Sequence, residues 1–446
     1  MRVILLSIIL FFIIFCTSTA QWRLLNEQPT YGFAANPKNP KTLFVGGIGR
    51  QIFRSYDAGN TWDTLVVEFK TGTTRFTNIF IHPVDTNIII IGGLGFGTIM
   101  RSKDAGNSWD TVSIVPEVLS PLTLPGESII ADVNNSDIIY AADLFSSSIY
   151  RSLDRGLSWD SISSIRAPAL CTITMLPNGS MFAGCTGGTI HKSIDAGFTW
   201  RQVAKVITNE GDDAEIPRIV FSKRNPLVGY AVASYFYYLL RPSGGLFTTE
   251  DGGETWRLIS FADTSLWSLA VRTIGTEDEV FVGGYTDDFG APQRVPGQGI
   301  VRRSQNSGKN WLRIDQTIAW TDTIHRNAWM MKFVGDLRET ERLYMATEAG
   351  FFVMDEPSDI NNKLLENDTD MWDALLQNNI LSISYPKEFS DKLNLSVELT
   401  SLIGERIFKT IANGERVFQV QNCPKGIVVC EISDGFTRKH QLLISE

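Results

Sequence analysis

The chain has 446 residues, which is long enough for a large core and for more than one domain of average size. Apolar residues make up 43% and charged residues 20% of it, with 37 Gly, 17 Pro and 11 Trp, so the composition excludes collagen-like, disordered and multispanning membrane proteins. There are 40 Lys and Arg against 49 Asp and Glu, and the resulting net charge of −9 argues against a nucleic-acid partner.

Residues 1–20 have the pattern of a secretory signal peptide. An apolar run extends from Val3 to Phe15, and the small residues Ser18 and Ala20 precede a cleavage site at Gln21. The run is shorter than the ~20 apolar residues that a transmembrane anchor needs. We therefore expect export to the periplasm, with no membrane span after cleavage.

The rest of the chain has four cysteines in two local pairs, Cys171 with Cys185 and Cys423 with Cys430. In the first pair, a two-residue Asn-Gly turn would place Thr172 rather than Cys171 opposite Cys185. A disulfide and buried free thiols both remain open for this pair in an exported protein. The four histidines are scattered and no C-x-x-C sequence occurs, so we expect neither a metal nor a cofactor.

One octapeptide pattern, Ser/Thr-x-Asp-x-Gly-x-Ser/Thr-Trp, organises the chain from residue 21 to residue 354. It occurs six times, and the sixth copy has Asn in place of Asp and of the second Ser/Thr. The third positions of the copies are Asp57, Asp104, Asp154, Asp195, Asp251 and Asn306. The eighth positions are Trp62, Trp109, Trp159, Trp200, Trp256 and Trp311.

This pattern resembles the Asp-box, or bacterial neuraminidase (BNR) repeat. In such a turn the carboxylate accepts hydrogen bonds from nearby amides, Gly permits positive φ, and Trp begins the next strand with a large surface to bury. The resemblance implies that each box connects the third and fourth strands of a unit, on the face opposite the other long loops. The box carboxylates are therefore expected to be structural rather than catalytic.

The strand pattern predicts an all-β, seven-bladed β-propeller over residues 21–354. Four strands recur roughly every 50 residues, which is the period of a propeller blade. The segments 328–334, 342–347 and 351–354 form a seventh unit that lacks both a box and a fourth strand. The segment around Trp22 resembles the strands that follow the boxes, so we expect the N-terminal strand to complete the last blade and close the ring.

The sequence changes character after the propeller. Residues 355–379 are polar and predict a linker, whereas residues 380–446 alternate apolar and polar positions as in a small antiparallel β-sandwich. This tail resembles the type A sorting domain of the Bacteroidetes type IX secretion system, through Gly404, Arg406, Lys425 and Gly426. The resemblance implies that the secretion machinery is a partner and that the protein is secreted or held at the outer-membrane cell surface. An ordinary terminal β-domain is the alternative.

Asp-box propellers include sialidases, xyloglucan-active glycosidases, sortilin-like receptors and photosystem II assembly factors of the Ycf48 and HCF136 kind. A single seven-bladed ring is most similar to the assembly factors. The resemblance implies a non-catalytic binding or scaffold protein, and the expected partner is a cell-surface protein or glycan. The fold by itself does not choose between a binding protein and an enzyme.

Two long insertions carry the candidate ligand-binding residues. Aromatic and Arg side chains are typical of contact hot spots and sugar platforms, although part of the first insertion also fits a core strand. The candidates are Tyr235, Tyr237, Tyr238 and Arg241 in the fifth unit, and Tyr285, Phe289 and Arg294 in the sixth.

The alternative function is an extracellular glycoside hydrolase, either sialidase-like or xyloglucanase-like. Its reaction needs two carboxyl groups about 5 to 10 Å apart. The carboxyl groups that neighbouring loops could supply belong to Asp212, Asp213, Asp287 and Asp288. The sequence has no Arg-Ile-Pro motif near its start, since 216–218 reads Ile-Pro-Arg, and it has one propeller rather than two, so a non-catalytic protein is preferred.

Overall fold

The computed structural model describes most of the chain after residue 20, and every regular element in the described residues is a β-strand. In the first part of the chain the described residues are 21–67, 75–94, 99–115, 127–144, 146–206, 214–235, 243–274, 276–285, 297, 299–320, 326–335 and 341–355. In the last part they are 373–377, 380–384, 394–401, 406–413, 417–419, 426–433 and 438–445. The chain divides into two units, Met1–Glu356 and Pro357–Glu446.

The described residues of the first unit form seven sheets, which we call blades 1 to 7. Their strands pair antiparallel, apart from one edge pair in blade 3. The N-terminal strand is β1 (Gln21–Asn26). Blade 1 contains β2 (Gly32–Asn36), β3 (Asn39–Gly46), β4 (Gln51–Ser55) and β5 (Asp63–Val66). Blade 2 contains β6 (Arg75–Ile81), β7 (Ile89–Leu94), β8 (Met100–Ser102) and β9 (Asp110–Thr111). Blade 3 contains β10 (Ser113–Val115), β11 (Ile129–Ala131), β12 (Ile139–Ala142), β13 (Ser148–Ser152) and β14 (Ser158–Ser164).

The remaining blades repeat the same order. Blade 4 contains β15 (Leu170–Met175), β16 (Met181–Cys185), β17 (Thr189–Ser193) and β18 (Arg201–Lys205). Blade 5 contains β19 (Ala214–Phe221), β20 (Gly229–Tyr235), β21 (Gly245–Thr249) and β22 (Arg257–Ser260). Blade 6 contains β23 (Leu266–Ile274), β24 (Glu277–Gly284), β25 (Val301–Ser304) and β26 (Leu312–Arg313). Blade 7 contains β27 (Ala328–Val334), β28 (Arg342–Thr347) and β29 (Gly350–Asp355), with β1 as its fourth strand.

The blades form a closed ring. The innermost strand of each blade contacts the innermost strand of the next, and β27 of blade 7 contacts β2 of blade 1. Large apolar side chains fill the spaces between successive sheets, as in the cluster of Ile90, Ile139, Tyr150 and Trp159 between blades 2 and 3. The predicted all-β seven-bladed propeller is therefore confirmed.

The ring is closed by the first strand, as the sequence predicts. Strand β1 runs antiparallel to β29, with Trp22 opposite Met354. Trp22 is 5% exposed and packs in the core between blades 6 and 7. Arg23 Nε lies 2.8 Å from Asp355 Oδ2, so an ion pair also joins the two ends of the propeller. Pairing with β1 covers the edge that β29 would otherwise expose.

Each box forms a turn that is closed by its own side chains. Strand β4 ends at Ser55, and Asp57 then accepts hydrogen bonds from the Thr61 amide (2.9 Å) and the Thr61 hydroxyl (2.7 Å). The Ser55 hydroxyl donates to Asp57 and accepts from the Gly59 amide, each at 2.8 Å. The Thr61 hydroxyl is the main reason that the pKa of Asp57 is lowered to about 2, which keeps its carboxyl ionised. Gly59 has φ +91°, where a side chain would be strained.

The box tryptophans anchor the turns to the core. Four of them donate their indole N–H to the Gly carbonyl of their own box: Trp159, Trp200, Trp256 and Trp311. In the sixth box, Asn306 Oδ1 accepts from the Asn310 amide at 2.8 Å, so the amide side chain retains the central contact of the turn.

Two local details differ from the sequence-based expectation. The hairpin between β15 and β16 has a three-residue loop, so Thr172 lies opposite Gly184 rather than Cys185, and Cys171 sits at a bulge. Both thiols are free and buried. The chain after β9 also leaves blade 2, and β10 pairs in parallel with β14 at the outer edge of blade 3.

The second unit contains two antiparallel sheets. One is formed by β30 (Asp373–Gln377), β31 (Ile380–Ser384) and β34 (Val417–Gln419). The other is formed by β32 (Asn394–Ser401), β33 (Arg406–Asn413), β35 (Gly426–Ser433) and β36 (Arg438–Ser445). Strand β30 lies within the segment for which the sequence predicts a linker. Arg406 and Gly426 begin β33 and β35, whereas Gly404, Lys425 and the predicted signal peptide lie outside the described residues. In the described part of the chain, no helix is long and apolar enough to span a bilayer.

Candidate functional site

Five aromatic side chains form a cluster at one end of the propeller, and we call it the aromatic cluster. It draws on blade 5, blade 6, blade 7 and the segment just before β2 of blade 1. Its members are Tyr31, Tyr235, Trp267, Tyr285 and Trp329. Tyr235 ends β20 and Tyr285 follows β24, so the cluster lies where second strands end. The boxes join third to fourth strands, and the cluster is therefore at the opposite end of the blades.

The rings of the cluster contact one another continuously. Tyr235 stacks on Tyr285 with 5.9 Å between ring centroids, and Tyr285 lies 4.6 Å from Trp267 and 5.1 Å from Trp329. Trp329 in turn lies 5.8 Å from Tyr31. Aromatic pairs at these distances add to the stabilisation from burial, by about 0.5 to 1.5 kcal/mol per pair. The cluster is thus a rigid platform that joins four neighbouring blades.

Bulges aim the two tryptophans of the cluster. The register of β23 against β24 shifts at Trp267, and the register of β27 against β28 shifts at Trp329. An extra residue in one strand re-aims the side chain at that point. The Trp329 indole N–H is buried, and no residue of the described chain accepts its hydrogen.

A cation borders the cluster at Tyr31. The Arg75 guanidinium of β6 lies over the Tyr31 ring, 4.6 Å from its centroid. Burial raises the pKa of the Tyr31 hydroxyl, and the Arg75 charge offsets only part of this effect. Tyr31 is therefore a neutral hydroxyl at physiological pH.

Three charged side chains meet beside the aromatic cluster. Glu127 Oε2 lies 3.1 Å from Arg218 Nη1, and Glu127 Oε1 lies 2.5 Å from Lys332 Nζ. These residues come from blades 3, 5 and 7, which are not neighbours in the ring, so they meet across the central axis. Burial raises the pKa of the Glu127 carboxyl, but the two cations outweigh it and hold the pKa well below its ordinary value.

A small cavity of about 10 Å³ lies between Arg218 and the two tryptophans of the cluster. Arg218 lines it together with Trp267 and Trp329. We call the aromatic cluster and these three charged residues together the axial site. It combines a buried cluster of aromatic rings with two cations and one carboxylate. Within the described residues, no group of three or more His, Cys, Asp or Glu side chains is placed to hold a metal ion.

The structure brings two of the sequence-predicted ligand residues together, Tyr235 and Tyr285, and buries both at 3% and 8% exposure. The other predicted ligand residues lie outside the described residues: Tyr237, Tyr238, Arg241, Phe289 and Arg294. The same holds for the four candidate carboxylates: Asp212, Asp213, Asp287 and Asp288.

The other three aromatic members, Tyr31, Trp267 and Trp329, are not among the residues predicted from the sequence. Each stands at or just before the start of an innermost strand. Aligning the starts of the innermost strands of all blades would have revealed that three consecutive blades around the ring have a large aromatic residue there.

No family model matches the chain, and no curated protein matches it. Among solved structures, YCF48 from Cyanidioschyzon merolae matches 76% of this chain and 100% of its own length, with a TM-score of 0.52 and 17% identical residues. A structure of YCF48 bound to D1 peptide matches 75% of this chain and 94% of its own length, with a TM-score of 0.53 and 15% identity. The GH74 enzyme of Niastella koreensis matches 95% of this chain and 67% of its own length, with a TM-score of 0.54 and 16% identity. At such identities the likeness shows the propeller fold alone.

Proposed function

We propose that this protein is a non-catalytic binding or scaffold propeller, exported to the cell surface or secreted, and that it binds a polypeptide partner at the axial site. The observation that carries the proposal is the stacking of Tyr235 on Tyr285. Residues 236–242 follow Tyr235 in the chain and residues 286–296 follow Tyr285. The two insertions that are rich in aromatic and Arg residues therefore begin next to each other, on a platform shared by four blades.

The chemistry of the axial site suits a polypeptide. Aromatic and Arg side chains dominate contact hot spots between proteins, because aromatic rings bury a large area with little loss of side-chain freedom and Arg offers several hydrogen-bond donors in a planar group. Two cations beside one carboxylate favour an acidic side chain or a chain terminus of the partner. One solved neighbour of this fold is YCF48 bound to D1 peptide, which gives a precedent for peptide binding by such a propeller.

The two ends of the sequence support the location. Residues 1–20 have the pattern of a secretory signal peptide, and the tail resembles a type IX sorting domain. Deleting residues 380–446 is expected to retain the protein in the periplasm, whereas the full chain reaches the surface. Fractionation and surface protease treatment would measure this. Unchanged surface delivery of the shortened chain would contradict the export proposal without affecting the binding proposal.

Site-specific photo-crosslinking tests the binding proposal directly. A photoreactive phenylalanine at position 289 is expected to crosslink to a discrete polypeptide of the cell envelope, and excess unlabelled protein should compete. The same photoreactive group at position 198 is the control, because Phe198 is 47% exposed and belongs to the fourth box, at the end of the propeller opposite the axial site. Equal crosslinking at both positions, or none at position 289, would contradict the proposal.

The glycoside hydrolase alternative has its own outcome. The GH74 neighbour shares the fold, and Asp287 or Asp288 with Asp212 or Asp213 would supply the two carboxyl groups. Turnover of xyloglucan or a sialylated glycan that is abolished by Asp287→Asn would replace the binding proposal with the enzyme.

A further inference from the structure

At the end of the propeller that carries the boxes, a Lys or Arg side chain of one blade contacts the box of the next blade at most of the junctions between blades. In blade 1, Arg54 Nη1 donates to the Ala105 carbonyl in the second box at 3.2 Å. Arg101 Nε donates to the corresponding Arg155 carbonyl of the third box at 2.9 Å. Lys192 Nζ donates to the Gly252 carbonyl of the fifth box, also at 2.9 Å. Each of these cations is the residue immediately before a box.

Blade 3 also places a cation against the box of the next blade, but this cation contacts an aromatic ring rather than a carbonyl. Arg151, which also precedes a box, places its guanidinium over the ring of Phe198 in the fourth box, 4.7 Å from the centroid. The gaps between blades 1 and 2, 2 and 3, 3 and 4, and 4 and 5 are thus each filled by a cation of the chain itself.

Blade 5 breaks this rule. Thr248 stands immediately before the fifth box, and its hydroxyl donates to the Gly229 carbonyl of its own blade at 2.9 Å. The Thr248 side chain therefore does not reach the sixth box, which belongs to blade 6. A cleft of about 650 Å³ opens between blades 5 and 6, and both Thr248 and Ser307 of the sixth box line it. This volume falls within the usual range of ligand pockets, about 300 to 1,000 Å³.

The cleft also contains a buried carboxylate without a cation. Asp278 is 7% exposed and lines the cleft. Its Oδ1 accepts from the hydroxyls of Ser222 (2.8 Å) and Thr273 (3.0 Å), and its Oδ2 accepts from Tyr230 (3.3 Å). All three donors are neutral, and no Lys, Arg or His of the described chain forms an ion pair with Asp278.

The equivalent carboxylate in blade 3 does have a cation. The Asp137 carbonyl accepts from the Arg155 amide just as the Asp278 carbonyl accepts from the Ser307 amide, so the two acids occupy the same place in their blades. Asp137 pairs with Arg155 Nε at 2.7 Å. In blade 6 the residue in the place of Arg155 is Ser307. The cleft therefore lacks the cation that precedes the box in blades 1 to 4, and it also lacks the cation that pairs with the equivalent acid in blade 3.

The other two carboxylates of the cleft already have cations beside them. Arg257 pairs with Glu250 at 2.5 Å, Lys309 lies 3.6 Å from Glu277, and Arg224, which also lines the cleft, acts electrostatically on Glu277. Burying a carboxylate without a counter-ion is costly, and a cation that enters the cleft would recover part of that cost.

We propose that the cleft between blades 5 and 6 binds an Arg or Lys side chain of a partner polypeptide. The incoming cation would approach Asp278 and the Ser307 carbonyl, as Arg54, Arg101 and Lys192 approach their own boxes. This cleft lies at the opposite end of the blades from the axial site, and the inference does not depend on the function proposed for that site.

A blocked heptapeptide tests the inference on the full mature chain. The probe is acetyl-Gly-Ser-Gly-Arg-Gly-Ser-Gly-amide, and the matched probe has citrulline, a neutral isostere, in place of Arg. Calorimetry or fluorescence anisotropy would measure the two affinities. The Arg peptide is expected to bind at least about tenfold more tightly, because only the guanidinium brings a positive charge to the Asp278 carboxylate.

Two variants assign the binding to the cleft. Thr248→Arg restores the cation of the repeat and is expected to weaken Arg-peptide binding at least about tenfold while keeping or raising the unfolding temperature. Asp278→Asn keeps the shape of the side chain but removes its charge, and should weaken binding as much. Val133→Arg is the control. It adds the same charge at an exposed position away from the cleft, in the loop between β11 and β12 of blade 3.

The outcomes separate cleanly. Loss of binding in both cleft variants, with binding retained in Val133→Arg, supports the proposal. If Thr248→Arg fails to fold, the Asp278→Asn result alone decides. Equal affinity for the Arg and citrulline peptides, no binding of either at millimolar concentration, or unchanged binding to Asp278→Asn would overturn it.

Discussion

Replacing Trp22 by Ala is expected to destabilise the closed ring by about 3 kcal/mol. Trp22 is 5% exposed and packs with Ile314, Phe352 and Met354. Burial of a Trp side chain removes ~150 to 250 Å² from water, worth about 4 to 6 kcal/mol at ~25 cal/mol per Å². The indole N–H has no acceptor in the described chain, and such a buried donor costs about 1 to 3 kcal/mol, which truncation relieves.

Two matched variants separate ring burial from other effects of the first strand. Trp22→Phe keeps an aromatic ring in the core and removes the unsatisfied donor, so the free energy of unfolding should stay within about 1 kcal/mol of the parent value. Leu24→Ala alters the same strand at a side chain that is 41% exposed, and its effect should be about 0.5 kcal/mol or less.

The measurement is urea unfolding of residues 21–446, followed by far-ultraviolet circular dichroism. The midpoint should fall in Trp22→Ala with an unchanged slope, because the extent of unfolding is the same. A loss below about 1 kcal/mol would show that the N-terminal strand is not what closes the ring. A Trp22→Phe variant as unstable as Trp22→Ala would refute the assignment of the energy to ring burial.

Three further predictions concern charged and thiol groups. Arg218→Met should destabilise the fold more than Lys332→Met, because Arg218 is the more buried partner of Glu127, at 10% against 44% side-chain exposure. Urea titrations of the two variants would show the order, and a larger loss of stability in Lys332→Met would contradict the prediction. Burial raises the pKa of Cys185 to about 12, so its thiol should resist alkylation near neutral pH until the chain unfolds, which mass spectrometry would follow; labelling of the native chain would contradict this. The Ser108 hydroxyl is the main cause of the lowered Asp104 pKa, about 2, so the stability that this carboxyl contributes is present above its unfolded pKa and is lost as pH falls from about 4 to 2. Ser108→Ala should raise that pKa in an NMR titration and move the acid loss to higher pH; an unchanged pKa would count against the turn geometry.

The repeat made the propeller predictable. Each box is closed by contacts between residues at most four positions apart, such as Ser55 with Gly59 and Asp57 with Thr61, so its geometry is encoded locally. The number of blades follows from the six boxes and the seventh unit without a box. The closure of the ring follows from the segment around Trp22, which resembles the strands that come after the boxes. The local pattern did not predict the strand register of the hairpin that carries Cys171, because one extra residue in the loop changes which residues lie opposite each other.

The candidate site was predictable only in part. Tyr235 and Tyr285 could be selected from the sequence because they begin aromatic insertions. Tyr31 and Trp329 could not, because they are almost 300 residues apart and meet only when blade 7 packs against blade 1.

The sequence alone determined the blade, its turns and the closing strand, because these depend on hydrogen bonds and apolar periodicity within short segments. Only the tertiary structure decided which side chains share the axis and which junction stays open. Glu127 meets Arg218 and Lys332 from three separate blades, and the cleft beside Asp278 exists because Thr248 does not cross to the next box. Such contacts join residues that are distant in the chain, so they are fixed by the curvature of the ring rather than by any local pattern.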